Sequence, residues 1–228
     1  MMSDAPSTPL QVIATQLDSP NMRDRLLALA ALRDVDPGAA VPLIKKVLDD
    51  ENLQIRSMAV FALGLKPTDE CYGLLLNLLT DPDYSIRANA AGALGYLRDP
   101  RAVEPLIRLF YEDTDWLVRF SAAVSLGNLG DERAQQALVA ALDAEEEVLQ
   151  QAAIAALGEV GAVDAVERLL QFVGAEDWLV RQRLAEALGN LPAPKTVSAL
   201  QFLTKDSHPQ VAEAARISLQ RLDEAASA

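Results

Sequence analysis

The sequence predicts an all-α fold, an α-solenoid (superhelix) of about seven two-helix repeats with a 31-residue period. Three observations carry that expectation. The tetrapeptide Trp-Leu-Val-Arg occurs twice, at Trp116 to Arg119 and Trp178 to Arg181; Asp115 and Asp177 precede the copies, and Leu126-Gly127 and Leu188-Gly189 follow them. Arg25, Arg56, Arg87, Arg119 and Arg181 each stand seven residues before a leucine, at steps of 31, 31, 32 and twice 31, with Gln150 in the vacant slot. Half of the residues are apolar but only 5% are aromatic, which suits many small-residue helix contacts better than one large core. Self-similarity at such a period marks a stacked array in which each unit buries its apolar face against its neighbours.

One unit shows how the pattern works. Asp99-Pro100 opens a helix whose Val103, Leu106, Ile107 and Phe110 fall at helical spacing, and Glu112-Asp113-Thr114 breaks it. Asp115 is then placed to cap a second helix that carries Val118, Ala122, Leu126 and Leu129 on one face. Gly127 and Gly130 are expected to end that helix by supplying a left-handed residue.

The capping slot, four residues before each repeat arginine, reads Asn21, Asn52, Asp83, Asp115, Glu146, Asp177 and His208. Short polar side chains there accept a hydrogen bond from an otherwise unpaired N–H, each contributing about 1 kcal/mol. Second helices are therefore expected near 21–33, 52–64, 83–97, 115–129, 146–160, 177–190 and 208–222. First helices precede them near 8–18, 41–49, 69–80, 101–111, 132–143, 163–173 and 195–204. The last unit has Ala212 and Gln220 in place of arginine and glycine, as a terminal cap would. This gives a single repeat domain over 8–222 with flexible ends at 1–7 and 223–228.

The arginines have a structural explanation. Asp50, Asp81, Asp113 and Asp206 stand six residues before the arginine slot, so stacked units line aspartates and arginines into a ladder of charge-assisted hydrogen bonds. In the fifth unit Ala144 and Gln150 break it, and the sixth has Ala175 with Arg181. A looser junction or changed curvature is expected near 143–176.

Composition excludes several classes of function. The formal charge is −13 with five lysines, and phosphate-directed binding needs clustered basic residues, so no nucleic-acid partner is expected. No apolar run approaches the roughly 20 residues of a transmembrane segment, and Met1-Met2-Ser3-Asp4 does not resemble a signal peptide. A lone Cys71 fits a reducing compartment, and the chain reads as cytoplasmic. His208 is the only histidine, so zinc and triad chemistry lack their residues. The Glu145-Glu146-Glu147 run favours a helix dipole rather than catalysis, and Cys71 has no basic neighbour to activate it. No catalytic residue and no metal site are assigned.

The run from Asp81 to Leu97, with Asp-Pro-Asp at its start and Ala-Leu-Gly near its end, resembles a HEAT repeat. Its short period, together with Asp-Pro-Arg-Ala-Val-x-Pro-Leu at Asp99 to Leu106, is similar to the repeats of phycobilisome bilin lyases. The segment from Asp115 to Asp131, in a chain made only of such repeats, resembles the cyanobacterial non-bleaching protein B family, which is implicated in phycobilisome degradation. The resemblance implies phycobiliprotein subunits and their bilins as partners, in an adaptor that assists chromophore release. No tightly bound cofactor is expected, with phycocyanobilin the implied ligand. A plain protein–protein scaffold, or a lyase subunit with true thioether chemistry, are the alternative functions. The family offers no catalytic motif that maps onto this chain, and the activity is expected to be non-catalytic.

In such arrays the second helices line the concave face, which makes their outward stripe the candidate groove. With Ile86, Ala90, Ala93 and Leu97 buried, that stripe holds Phe61, Tyr84, Trp116, Phe120, Val124, Trp178 and Gln182. Rotating the assignment by one position buries Phe61 and Tyr84 instead. Trp116 and Phe120, four residues apart, form an aromatic wall for a tetrapyrrole or a partner helix. In the other reading the tryptophans wedge between neighbouring units. Arg183 breaks the pattern of its slot and, with Arg119, Asp115 and Asp177, is a candidate contact for bilin propionates or pyrrole nitrogens.

Overall fold

In the computed structural model, which describes residues 9–227, the described residues form fourteen α-helices and no strand. The expected flexible segment 1–7 lies outside the described residues. The helices gather into two compact units that divide between Asp99 and Pro100, within the span 8–222 that the repeat pattern treats as one domain.

The first unit holds three helix pairs: α1 (Pro9–Leu17) with α2 (Met22–Ala31), α3 (Pro37–Lys45) with α4 (Leu53–Gly64), and α5 (Asp69–Leu78) with α6 (Tyr84–Leu97). The second holds four: α7 (Val103–Glu112) with α8 (Trp116–Leu129), α9 (Gln135–Ala141) with α10 (Glu147–Val160), α11 (Val166–Leu169) with α12 (Trp178–Leu188), and α13 (Thr196–Leu203) with α14 (Pro209–Ser227).

Every second helix starts one residue past its capping slot. The side chains of Asn21, Asn52, Asp83, Asp115 and Asp177 accept from the N–H two residues on, at Arg23, Gln54, Ser85, Leu117 and Leu179. Glu146 makes no such side-chain bond, since its longer chain overshoots the N–H groups that aspartate reaches. The buried faces follow the helical period: Ile86, Ala90, Ala93 and Leu97 are buried in α6, and Val118, Ala122 and Leu126 in α8.

Three expectations about helix ends need correction. Helix α3 begins at Pro37, not near 41, because the Asp36 carboxylate accepts from Gly38 N and proline is favoured in a first turn. The sixth unit's first helix, expected over 163–173, breaks into 3-10 turns at Val163–Ala165 and Leu170–Phe172 around the four residues of α11. Helix α14 runs on to Ser227, past the expected end at 222, with Leu222 still buried.

The glycine of the repeated Leu-Gly is the most informative correction. Gly130 does adopt the left-handed conformation, at φ 64°, and caps α8. Gly127 does not end the helix: it lies inside α8 and lets α10 approach. A Cβ added to Gly127 would sit 2.8 Å from the Cα of Ala156, and one added to Gly158 would sit 2.7 Å from the Cα of Ala187. Gly64 meets Ala93 in the first unit in the same way, at 2.9 Å. Within each unit, the second helices that carry this glycine thus approach the next one backbone to backbone, while successive first helices pack less closely. The stack of each unit closes up on its second-helix side.

Candidate functional site

The solvent-facing residues of the second helices are best placed by their distance from the arginine slot. Two, five and nine residues beyond it lies a stripe that points away from the first helices. In the first unit this stripe is mostly apolar: Leu27, Met58, Phe61, Leu65 and Tyr96 are all exposed, interrupted by the polar Asp34 and Asn89. The Phe61 and Tyr96 rings meet edge to face, with centroids 5.9 Å apart. Edge-to-face pairs of this kind stabilise by about 0.5–1.5 kcal/mol beyond burial and hold both rings in place.

In the second unit the same stripe turns polar. A furrow of about 530 Å³ runs between α10, α12 and α14, lined by Glu159, Arg183, Glu186, Asn190, Ile217 and Arg221 among others. A smaller one of about 100 Å³, between α8 and α10, is floored by Gly127 and edged by Val124 and Asn128. Both furrows follow from the close helix approach that the repeated glycines permit.

Of the residues singled out from sequence, Phe61 and Val124 lie on this stripe, and Gln182 and Arg183 line the larger furrow. Arg183 Nη1 reaches Glu186 Oε2 at 3.0 Å, and Gln182 Nε2 donates to Glu186 Oε1 at 2.8 Å. Their off-pattern polarity therefore has a local partner on the next helical turn. Tyr84, Trp116 and Trp178 stand instead on the first turns of α6, α8 and α12, outside the furrows. Tyr84 and Trp116 are about half exposed, and Phe120 is half-buried one turn below Trp116.

The two tryptophans differ in their neighbours. The Trp178 indole stacks on the His208 imidazole of the following repeat, with centroids 4.1 Å apart and planes within 13°. It still keeps 36% of its surface exposed, and Trp116 keeps 49%. Met22 shows the same register in the first unit, its Sδ lying 3.4 Å from Asn52 Nδ2. In these two repeats the residue three before the arginine slot sits against the next repeat's capping residue.

The arginine slot works in two directions. Four of the arginines reach back to the carbonyl six residues earlier: Arg25 to Ser19 at 2.8 Å, Arg56 to Asp50 at 2.8 Å, Arg87 to Asp81 at 2.9 Å and Arg181 to Ala175 at 2.6 Å. Arg25 and Arg181 also reach forward to the next repeat's aspartate. Arg25 grips Asp50 at 3.0 Å, and Arg181 grips Asp206 at 2.7 and 3.0 Å. Arg56 lies 3.9 Å from Asp83 rather than on Asp81. Asp50, Asp81, Asp113 and Asp206 each also accept from the N–H two residues on, which fixes the turn into the second helix. The Arg181 guanidinium holds the Asp206 carboxyl below the ordinary carboxylate range, and Asp206 in turn raises Arg181.

The break in the ladder has its own logic. Gln150 keeps the backward bond, donating to the Ala144 carbonyl at 2.8 Å. The slot 25 residues ahead of it holds Ala175, so an arginine at 150 would have no carboxylate to meet. Arg119, facing Ala144, uses Glu146 at 3.6 Å and lies over the Phe110 ring at 5.5 Å.

One functional group has no clear signature in the sequence. Lys66 is buried, and its Nζ donates to the carbonyls of Arg33 and Val35 at 2.7 and 2.5 Å, closing the C-terminal end of the preceding repeat. Only its position just past a helix end, in Leu65-Lys66-Pro67, hints at this. Cys71 is fully buried, and desolvation, the largest influence on it, pushes its thiol up and away from nucleophilic reactivity. Among the described residues no group of three or more His, Cys, Asp or Glu is placed to hold a metal ion, and no helix is long and apolar enough to cross a membrane.

Comparison with known proteins agrees with this architecture. The HEAT-repeat family pattern matches residues 73–157 and 136–220, together more than half of the chain, so the chain belongs to the HEAT-repeat family. No curated protein matches it. Among solved structures it is similar to the complex of CpcE and CpcF of phycocyanin lyase from Nostoc sp. PCC7120, with a TM-score of 0.61 at 22% identity over 97% of each chain. It is also similar to yeast importin-β (Kap95p), with a TM-score of 0.67 at 17% identity over 94% of this chain and 35% of that one. An engineered protein gives a TM-score of 0.58 at 22% identity, over 94% and 68%. At these identities the likeness is one of fold, and it establishes the α-solenoid class.

Proposed function

We propose that this protein is a repeat adaptor for phycobiliprotein subunits, binding them with their open-chain tetrapyrrole and assisting chromophore release during phycobilisome degradation. The observation that carries the reading is the set of apolar and aromatic side chains left in solvent on the second helices of each unit taken by itself: Leu27, Met58 and Phe61 in the first, Trp116 and Val124 in the second. An exposed apolar row on a chain of net charge −13 marks a surface that a partner covers. A further support is the likeness to the phycocyanin lyase subunits over nearly the whole of both chains.

The flat faces of Trp116 and Phe120 suit a conjugated pigment or a pigment-bearing helix. The arginines suit its propionates less well. Arg183 is paired with Glu186 and Arg119 lies near Glu146, so a propionate would have to displace a carboxylate at either position. The mixed charges of the furrow between α10 and α12 favour the second reading, a protein-interaction scaffold with no pigment role.

Titration with free phycocyanobilin and, separately, with intact phycocyanin distinguishes the two. The adaptor reading expects a shift in bilin absorbance and quenching of tryptophan emission, both reduced in Trp116→Ala. Binding of phycocyanin with no response to free bilin would leave the scaffold function alone. No response to either would overturn the proposal.

A further inference from the structure

The first turns of the second helices in the second unit carry a feature that the tetrapyrrole reading does not use. Three residues before the arginine slot stand Trp116, Glu147 and Trp178, on three successive second helices. The stacking of Trp178 on His208 fixes the register in which each such residue sits against the next repeat's capping turn. By the same register the turn that faces Trp116 is that of Glu146 and Glu147, which is consistent with Arg119 on the same helix reaching Glu146 at 3.6 Å. Glutamate and tryptophan therefore alternate along one edge.

The charge on this edge is not balanced from within. Glu145 and Glu147 are exposed, as are Glu112 and Glu176 just before Trp116 and Trp178, and none of the four has an ion-pair partner among the described residues. From Pro100 onward the chain carries 20 acidic against 11 basic side chains, so the surrounding field attracts cations. An indole face with a carboxylate beside it is a receptor for a protonated amine or a guanidinium, through cation–π attraction and an ion pair together. Neighbouring helices stand roughly 8–10 Å apart, so the edge offers acceptors at that step to a segment lying across it.

We infer that this edge docks a lysine- and arginine-bearing segment of a protein partner, with basic side chains seated between Trp116, Glu147 and Trp178. The inference goes beyond the tetrapyrrole reading and does not depend on it, since the occupant is cationic and colourless.

A decalysine peptide, titrated into the full chain with tryptophan emission as the readout, tests it. Binding is expected to weaken about tenfold in Glu145→Gln/Glu147→Gln and several-fold in Trp116→Leu, and to fall steeply with added salt. The matched control is Glu132→Gln/Asp164→Asn, which removes the same charge from exposed positions on the first-helix side and should change the affinity by less than twofold. Equal weakening by the two double variants would overturn the proposal, because diffuse attraction to net charge would then explain the binding. A tryptophan response to millimolar calcium with none to decalysine would also overturn it, by making the carboxylates an ion site. Unchanged helical content in every variant, by far-UV circular dichroism, excludes loss of folding as the cause.

Discussion

Gly158→Ala is expected to destabilise the protein, although it replaces the second-worst helix former with the best. On propensity alone the change stabilises a helix interior by roughly 0.8–1 kcal/mol. The new Cβ, however, would lie 2.7 Å from the Cα and 2.8 Å from the Cβ of Ala187 in the next repeat. Carbon atoms in good contact stand about 3.5–4.0 Å apart, so α10 and α12 must separate by several tenths of an ångström or more. The obstructing atoms are backbone and the methyl fixed to it, and no rotamer relieves them. Overpacking of this kind costs about 1–3 kcal/mol, and a backbone obstacle puts the cost near the upper end. The net expectation is a loss of about 1–2 kcal/mol, or roughly 2–8 °C in Tm for a chain of this size. Gly92→Ala supplies the opposite sign. Gly92 is helical, and a methyl placed there would meet no heavy atom within 4 Å, so the variant should gain about 0.4–1 kcal/mol. Thermal melts followed by far-UV circular dichroism read both. If Gly158→Ala raised Tm as Gly92→Ala does, the close approach of second helices would not be the reason for the repeated glycine.

Further outcomes follow from the polar contacts. Lys66→Met leaves the Arg33 and Val35 carbonyls without their buried donor and should cost about 2–4 kcal/mol, measured by urea unfolding. Gln150→Arg with Ala175→Asp should install a bidentate pair like that of Arg181 with Asp206 and raise stability by about 1–2 kcal/mol, whereas Gln150→Arg alone should not; equal melts for the single and double variants would contradict the register. Asp206 and Asp131 both have lowered carboxyl pKa values, Asp131 held at about 2 by hydrogen bonds from Arg133. A lowered folded-state pKa gives stability that is present above the ordinary value of 3.8 and lost as pH falls through the folded-state value. Melting temperature should therefore drop between about pH 4 and pH 2, and Asp206→Asn should lie lower at neutral pH but fall less steeply in acid.

The second helices are legible in the sequence because two independent local signals coincide in them. A capping Asn or Asp fixes where each begins, and the Ile/Val-Arg-x-x-Ala frame fixes which face is buried. The first helices lack a regular capping signal, and there the expected ends differ from the observed ones: a start expected near 41 is set instead by Asp36 and Pro37, and nothing in the sixth unit's first helix signals its 3-10 ends. Gly127 is ambiguous in sequence because a glycine near a helix end has two physical uses, a left-handed residue or a close approach. Only the position of the neighbouring helix separates them. The candidate site is legible in part. Val124, Gln182 and Arg183 line the furrows of the second unit and Phe61 is exposed in the first, but the tryptophans stand outside the furrows, since one helical residue turns the direction by 100° and the periodicity alone does not fix the orientation that finely. Lys66 is invisible to a local pattern because its partners are main-chain carbonyls a full repeat away.

Hydrogen exchange of the protein with and without saturating phycocyanin shows whether a partner is held on the exposed faces of the second helices. Protection is expected to rise in the peptides covering the exposed rows of α4, α6 and α8, with α7 and α9 unchanged. Protection confined to the first helices, or none at all at saturation, would contradict it.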